Sequence, residues 1–295
     1  MAHGLTANLT NISDRGLAAA YMAGMASANA PLSRLAMVIP WGSTSYDAAM
    51  YKPPSTYSSG TEGADISTEA VEEQSNKSIT VSVHSLGYAC SDLARLTLPR
   101  EVLVGLFKVL GNLGIRFFEK ELGALFNNAT GTTTTADGVS WSNDTHTSSA
   151  GNQDNKISGN LSFANYQTAV QMLMDQLDDR GNVMGGLADL LIVPTDERVL
   201  ANQIRTATHD ADDRSKTNVD AGGFGVMVSP DLTSATQWTV FAEQQFKLAG
   251  IKVPVVRGPN PWVIEREEKS LRYEVRDKIY AGFGVVDWRG SVFGT

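Results

Sequence analysis

His209, Asp210, Asp212 and Asp213 form the densest cluster of titratable side chains in the sequence. Carboxylates spaced in this way along a loop can hold a hard cation such as calcium. The stretch lacks the glycine turn and the distal glutamate of an EF-hand loop, so it reads as a solvated loop. Asp287-Trp288-Arg289 sets an acid beside a base, an arrangement that proton transfer can use. Its ordinary reading is a strand end with the indole in a core and the ion pair on the rim. Gly222-Gly223-Phe224-Gly225 is a glycine cluster, but no helix pattern follows it to cradle a phosphate, so it reads as a bend between strands. Cys90 is the only cysteine, which excludes an intrachain disulfide and a thiolate zinc site. His3, His84, His146 and His209 are scattered without ligand spacing. No GxSxG elbow, HExxH helix, P-loop or CxxC pair occurs. The sequence therefore offers no catalytic, cofactor-binding or metal-binding set, and no cofactor is expected.

Something other than turnover must account for the chain, and its composition narrows the choice. It has 295 residues, of which only 19% are charged, with a net charge of −8 and a pI near 5.0. A charge fraction below the usual quarter, with abundant Gly, Ser, Thr and Ala, suggests that neighbouring subunits cover much of the surface. Gripping DNA calls for a basic patch, and no run of Lys or Arg is present. No stretch approaches the ~20 consecutive apolar residues of a membrane span, and the apolar N-terminal positions lack the basic flank of a secretory leader.

The elements can be laid out from hydrophobic period and breakers. A short helix is expected from Arg15 to about Asn29, with Leu17, Tyr21 and Met25 on one face and Pro31 as its stop. It is too rich in small residues to form a core alone. It reads either as a frayed terminus or as an arm packed on a neighbour. Residues 41–80 carry six acids against two bases, with Pro40, Pro53 and Pro54 as breakers. Ile79, Val81 and Val83 alternate like a strand. A strand out, a long excursion and a strand back make an extended hairpin; the competing reading is a disordered acidic loop.

Residues 98–126 predict one long helix of about 40 Å, with Val102, Leu106, Leu110, Phe117 and Leu125 toward the body. Gly105, Gly111 and Gly114 lie inside it. Each costs about 1 kcal/mol relative to alanine, so packing must hold the helix, and the glycines imply close approach of another backbone. Residues 127–160 read as a loop or loose hairpin. Leu161–Leu177 reads as a helix closed by Gly181. Leu190–Val193 reads as a buried strand ended by Pro194, with Thr195 capping the next helix. Strand patterns follow at 226–228, 238–240, 253–256, 271–275 and 280–288.

Several stretches resemble, in order, the major capsid proteins of tailed bacteriophages, particularly the major head subunits of Mu-like phages. They are Arg15-Gly16-Leu17 to Ala28; Asp137-Gly138-Val139-Ser140-Trp141 with His146 and Gly159-Asn160-Leu161-Ser162; Ala188-Asp189-Leu190-Leu191-Ile192-Val193-Pro194; and Tyr273-Glu274-Val275-Arg276-Asp277 with Gly282-Phe283-Gly284 and Val286-Asp287-Trp288-Arg289-Gly290. The resemblance implies an α+β subunit of the Hong Kong 97-like coat fold. Residues 1–40 would be an N-terminal arm and 41–80 an extended loop. Residues 81–185 would be a peripheral domain holding the spine helix 98–126. An axial domain would span 186–275, with 276–295 as the closing strand of the peripheral domain.

It also implies a structural protein and not an enzyme: a subunit that self-assembles into an icosahedral shell around double-stranded DNA. An encapsulin-type nanocompartment shell is the alternative. Implied partners are further copies in hexamers and pentamers, portal and scaffolding proteins, a decoration protein, and packaged DNA without sequence-specific binding. The place implied is the virion, after assembly in the bacterial cytoplasm. Because the arm begins close to Met1, a separate scaffold is expected in place of a fused one. Some relatives join subunits by Lys–Asn isopeptide bonds. Lys52 and Lys77 lie in the extended-loop stretch, with no identifiable partner.

Overall fold

A computed structural model describes residues 19–53, 72–91, 99–148, 151–209, 220–259, 264–267 and 272–295, with a few single positions between them. Helix α1 covers 19–26 and leads through a 3₁₀ turn, Leu32–Leu35, to strand β1, Ala36–Pro40. Strands β2 (Ser45–Tyr51) and β3 (Glu73–Thr80) pair antiparallel as a two-stranded ribbon, with no other strand partner among the described residues. Strand β4 (Ser82–Ser91) and the long helix α2 (Arg100–Asn127) follow. Next come β5 (His146–Ser148), β6 (Gly151–Gln153), β7 (Lys156–Ile157), α3 (Phe163–Asp175), β8 (Leu190–Val193) and α4 (Arg198–Thr206). The chain closes with β9 (Gly225–Val228), β10 (Trp238–Phe241), α5 (Glu243–Ala249), β11 (Ile251–Arg257), β12 (Ile264–Glu267), β13 (Arg272–Ala281), β14 (Gly284–Val285) and β15 (Ser291–Gly294).

Two sheets organise these elements. In one, β1 runs parallel to β11; β11 pairs antiparallel with β13 and β14, and β13 with β12 and β4. In the other the order is β7-β15-β10-β8-β9. The second sheet is buried on both faces, which is why Leu190–Val193 is apolar at every position. Alternation then divides its residues. Leu191, Val193, Trp238, Val240 and Val292 meet Phe163, Tyr166, Leu173, Ala201 and Ile204 of α3 and α4. Leu190, Ile192, Phe241 and Phe293 meet Phe126, Trp141, Phe246 and Trp288. That second cluster also takes in Ala36, Ile251, Val253 and Val285, so one core joins the two sheets. Trp141 sits at its centre, with ring centroids 4.8 Å from Phe293 and 4.9 Å from Phe126, and stacked on Phe246 at 5.6 Å. Its indole N–H donates to Ser291 Oγ at 3.0 Å.

Several expectations need correction. The long helix is present, but its buried residues among those described are Phe107, Gly111, Gly114, Glu119, Leu122, Gly123 and Phe126. Val102 is 44% exposed, and Leu106, Leu110, Phe117 and Leu125 are only partly buried. The stripe moved because the helix packs through small residues where α1 crosses it. A β-carbon on Gly24 would lie 2.0 Å from the Lys108 carbonyl oxygen, and one on Gly111 would lie 2.1 Å from that of Tyr21. Backbone thus meets backbone at the crossing. The described part of the stretch expected to form an arm packs on its own chain: Ala20 and Tyr21 bury against Phe107, and the Tyr21 hydroxyl donates to Asp277. Leu32 and Ser33 amides donate to the buried Glu119 carboxylate at 2.9 and 3.2 Å. Burial pushes that carboxyl above its ordinary range, and the two amides partly offset it.

Ser162 caps α3 by accepting from the Asn165 amide at 3.2 Å. Helix α3 ends at Asp175, and Gly181 serves the following turn instead. Thr195 is not the cap of α4; Glu197 occupies that position without a side-chain cap bond. The single strand expected over 280–288 is the end of β13, the short β14 and an irregular stretch. Ser291–Gly294 pairs with β10 and β7, within the five-stranded sheet.

Candidate assembly interface

The ribbon joins neither of the two large sheets. Along β2 only Ala48 is buried, and along β3 only Ile79. Its return strand carries a bulge: Met50 faces Ser75 and Tyr51 faces Glu73, leaving Gln74 as the extra residue. At its root, Trp41 donates to the Ser45 carbonyl at 2.7 Å and meets Tyr46 edge-on at 4.9 Å. Ala48 and Ile79 close on Val286, with Tyr46, Met50 and Ala136 beside them. A cleft of ≈ 780 Å³ opens between ribbon and body, lined among others by Tyr51, Val183, Leu248, Lys252 and Arg289.

Polar groups tie the ribbon to the body across that cleft. Gln74 Nε2 donates to Asp179 Oδ1 at 2.8 Å. Asp179 also receives the Arg289 guanidinium, whose Nε donates to the Leu177 carbonyl at 3.1 Å and whose Nη1 lies 3.4 Å from Asp287 Oδ2. Burial works against the Arg289 charge, but Asp287 and Asp179 outweigh it and hold its pKa above the ordinary value. Asp287, Trp288 and Arg289 are all buried, so the ion pair expected on the rim is an interior network. Lys77 Nζ donates to Thr134 Oγ1 at 2.6 Å, and burial lowers its pKa against the pull of Asp137. Lys52 pairs with Glu72 at 3.4 Å. Both lysines of the loop are therefore engaged within the subunit.

His146 is fully buried between Asp137 Oδ2 at 2.7 Å and Asn155 Oδ1 at 3.2 Å, and stacks on Trp288 with centroids 4.3 Å apart. Burial raises the Asp137 carboxyl, but His146, the Thr135 hydroxyl and the Val139 amide together hold it below its ordinary value. The Asp137, Trp141, His146 and Trp288 positions singled out in sequence thus meet in one interior. His84 packs on Phe117 at 4.5 Å. His209 bridges to Thr217, while Asp210, Asp212 and Asp213 lie outside the described residues, as does His3. The Gly222–Gly225 cluster turns the chain into β9, with Gly222 at φ 76°. No group of metal-ligating side chains occurs among the described residues, nor a helix long and apolar enough to cross a membrane.

Large apolar side chains remain open elsewhere: Val109 and Leu113 on α2, Val83 and Leu86 on β4, and Val183 and Leu187 before β8. Scattered exposed apolar residues are ordinary, but runs on long elements mark interaction surfaces. Gln74, Asp179, Gly282 and Gly284 were not singled out as site residues from sequence. Only the strand glycines carried a signal there, since an interior strand glycine marks close approach of another group.

A family model described as phage capsid protein matches residues 101–292. The chain belongs to that family. The matched span runs from the first turn of α2 into β15, and so includes both sheets' main strands and the capsid-like Asp287-Trp288-Arg289. Solved structures agree on the fold. The capsid of Myoviridae phage XM1 is 16% identical with a TM-score of 0.53, covering 90% of each chain. The capsid of cyanophage P-SCSP1u is 11% identical with a TM-score of 0.55, covering 90% of this chain and 88% of the other. A virus-like particle from Pyrococcus furiosus is 12% identical with a TM-score of 0.53, covering 95% and 97%. The capsid-family subunit therefore has the Hong Kong 97-like fold expected from its sequence. No curated protein matches it.

Proposed function

We propose that this chain is the major shell subunit of a tailed phage, working by assembly and not by turnover. Its family membership, joined to a ribbon that buries little of itself, carries the reading. Residues 41–80 act as the extended loop that reaches neighbouring copies. The α2 helix is the spine of a peripheral domain with β4 and β13, and the five-stranded sheet is the centre of the axial domain. Its partners are further copies in five- and six-fold rings, scaffolding and portal proteins and a decoration protein, in a virion assembled within the bacterial cytoplasm. Heterologous contacts of one patch with another close into such rings. A net charge of −8 suits an inner wall that repels packaged DNA and does not grip it. Motifs similar to Mu-like head subunits support a place near that group.

The test is sedimentation of the full chain, alone and with scaffold. Rings or closed shells are expected. A compact monomer persisting at high concentration under every condition would overturn the reading. The particle's content separates it from a nanocompartment shell: packaged DNA supports the phage subunit, and a protein cargo held at the inner wall supports the alternative.

A further inference from the structure

The Gly282–Arg289 segment touches the ribbon at successive points. A β-carbon on Gly282 would lie 2.6 Å from the Thr80 carbonyl oxygen and 3.0 Å from Ile79 Cγ2. One on Gly284 would lie 2.7 and 2.8 Å from Ile79 Cγ1 and Cδ1. Between them Phe283 packs on the other side, with centroids 5.9 and 5.5 Å from Phe117 and Phe118. Val286 then closes on Ala48 and Ile79. Its own backbone is fixed, donating to Gly250 and accepting from Ala136, both at 2.9 Å. Asp287 and Arg289 hold Asp179, which receives Gln74 at the bulge. The bulge is what lets Gln74 join Lys77 and Ile79 in facing the body, since unbroken alternation would turn an even position away from odd ones.

We propose that Gly282–Arg289 is a seat that sets the angle of the ribbon to the body, and that Gly284, Arg289 and Gln74 are positioning residues for shell assembly. The proposal rests on the reading of the ribbon as the element that contacts neighbouring copies. The small-aromatic-small step has a separate task for each residue: the glycines admit Ile79, and the phenylalanine anchors the segment to the spine. Beside an open cleft, a small change at Gly284 or Gln74 shifts the angle of the ribbon while both core clusters stay in place.

Hydrogen exchange and electron microscopy of the full chain test both parts. In Gly284→Ala, amides of 45–51 and 73–80 should exchange about tenfold faster or more, with 190–193 and 238–241 unchanged. Shells should be lost or misshapen. Ile79→Ala combined with Gly284→Ala should restore ribbon protection relative to Gly284→Ala alone. Gln74→Leu removes the tether to Asp179 and leaves Arg289 on Asp179 and Lys77 on Thr134; it should loosen the same strands even if the alanine variant misfolds. Ribbon exchange unchanged in Gln74→Leu and in a folded Gly284→Ala would overturn the seat. Loosened ribbon with normal shells would overturn the assembly role while the seat stood.

Discussion

Replacing Gly111 with alanine should destabilise the subunit, while the same change at Gly105, six residues away on the same helix, should stabilise it. At Gly105 an added β-carbon meets nothing within 4 Å, so the variant keeps the intrinsic gain of alanine over glycine, up to ~1 kcal/mol. At Gly111 the new carbon would stand 2.1 Å from the Tyr21 carbonyl oxygen, 2.9 Å from its carbon and 3.0 Å from the Met25 nitrogen. These are backbone atoms and cannot rotate away. Helix α1 would have to withdraw by more than about 1 Å, loosening Tyr21 and Phe107; overpacking of this kind costs about 1–3 kcal/mol. Tyr21 is also tied through its hydroxyl to Asp277, so sliding α1 breaks a buried hydrogen bond. The costs together exceed the helix gain, and the expected net loss is about 2 kcal/mol. Urea unfolding of both variants reads the difference as opposite shifts in midpoint at equal slope. Gly111→Ala as stable as Gly105→Ala would refute the close crossing.

Phe126 is the ring to truncate in the core, because Phe117 is only partly buried; Phe126→Ala should cost about 3–5 kcal/mol in chemical unfolding. Arg289→Met leaves Asp179 and Asp287 buried without their cation and should cost about 3–5 kcal/mol, read the same way. The Asp137 carboxyl titrates lower in the folded chain than in the unfolded one. Its contribution is therefore present above the ordinary carboxylate range and lost as pH falls through the depressed value. Asp137→Asn should accordingly flatten the loss of stability below about pH 4 while lowering stability at pH 7.

Much of this architecture was legible because its signals are local. Leu190–Val193 is a continuous apolar run closed by Pro194, and the alternation of Ile79, Val81 and Val83 marked extended chain, although the structure breaks it at Val81 between β3 and β4. Gly105, Gly111 and Gly114 of α2 pointed to close packing, and Gly111 does meet α1 while Gly105 meets nothing. The direction of α2 was not legible, because large apolar residues announce a stripe without saying what covers it. Val102, Val109 and Leu113 remain open in the subunit, and small residues make the contact instead. Strands β1 and β15 are short and owe their pairing to distant partners, Ile251–Val255 and Trp238–Phe241. Asp179 lies over a hundred positions from Asp287 and Arg289 in sequence, so no spacing rule could have joined it to that pair.

Electron microscopy of the purified full-length chain tests the central claim most directly. The account predicts closed icosahedral particles, or five- and six-membered rings, with residues 45–51 and 73–80 of each copy lying against a neighbour. Particles that never close, or a shell in which those strands touch only their own subunit, would contradict it.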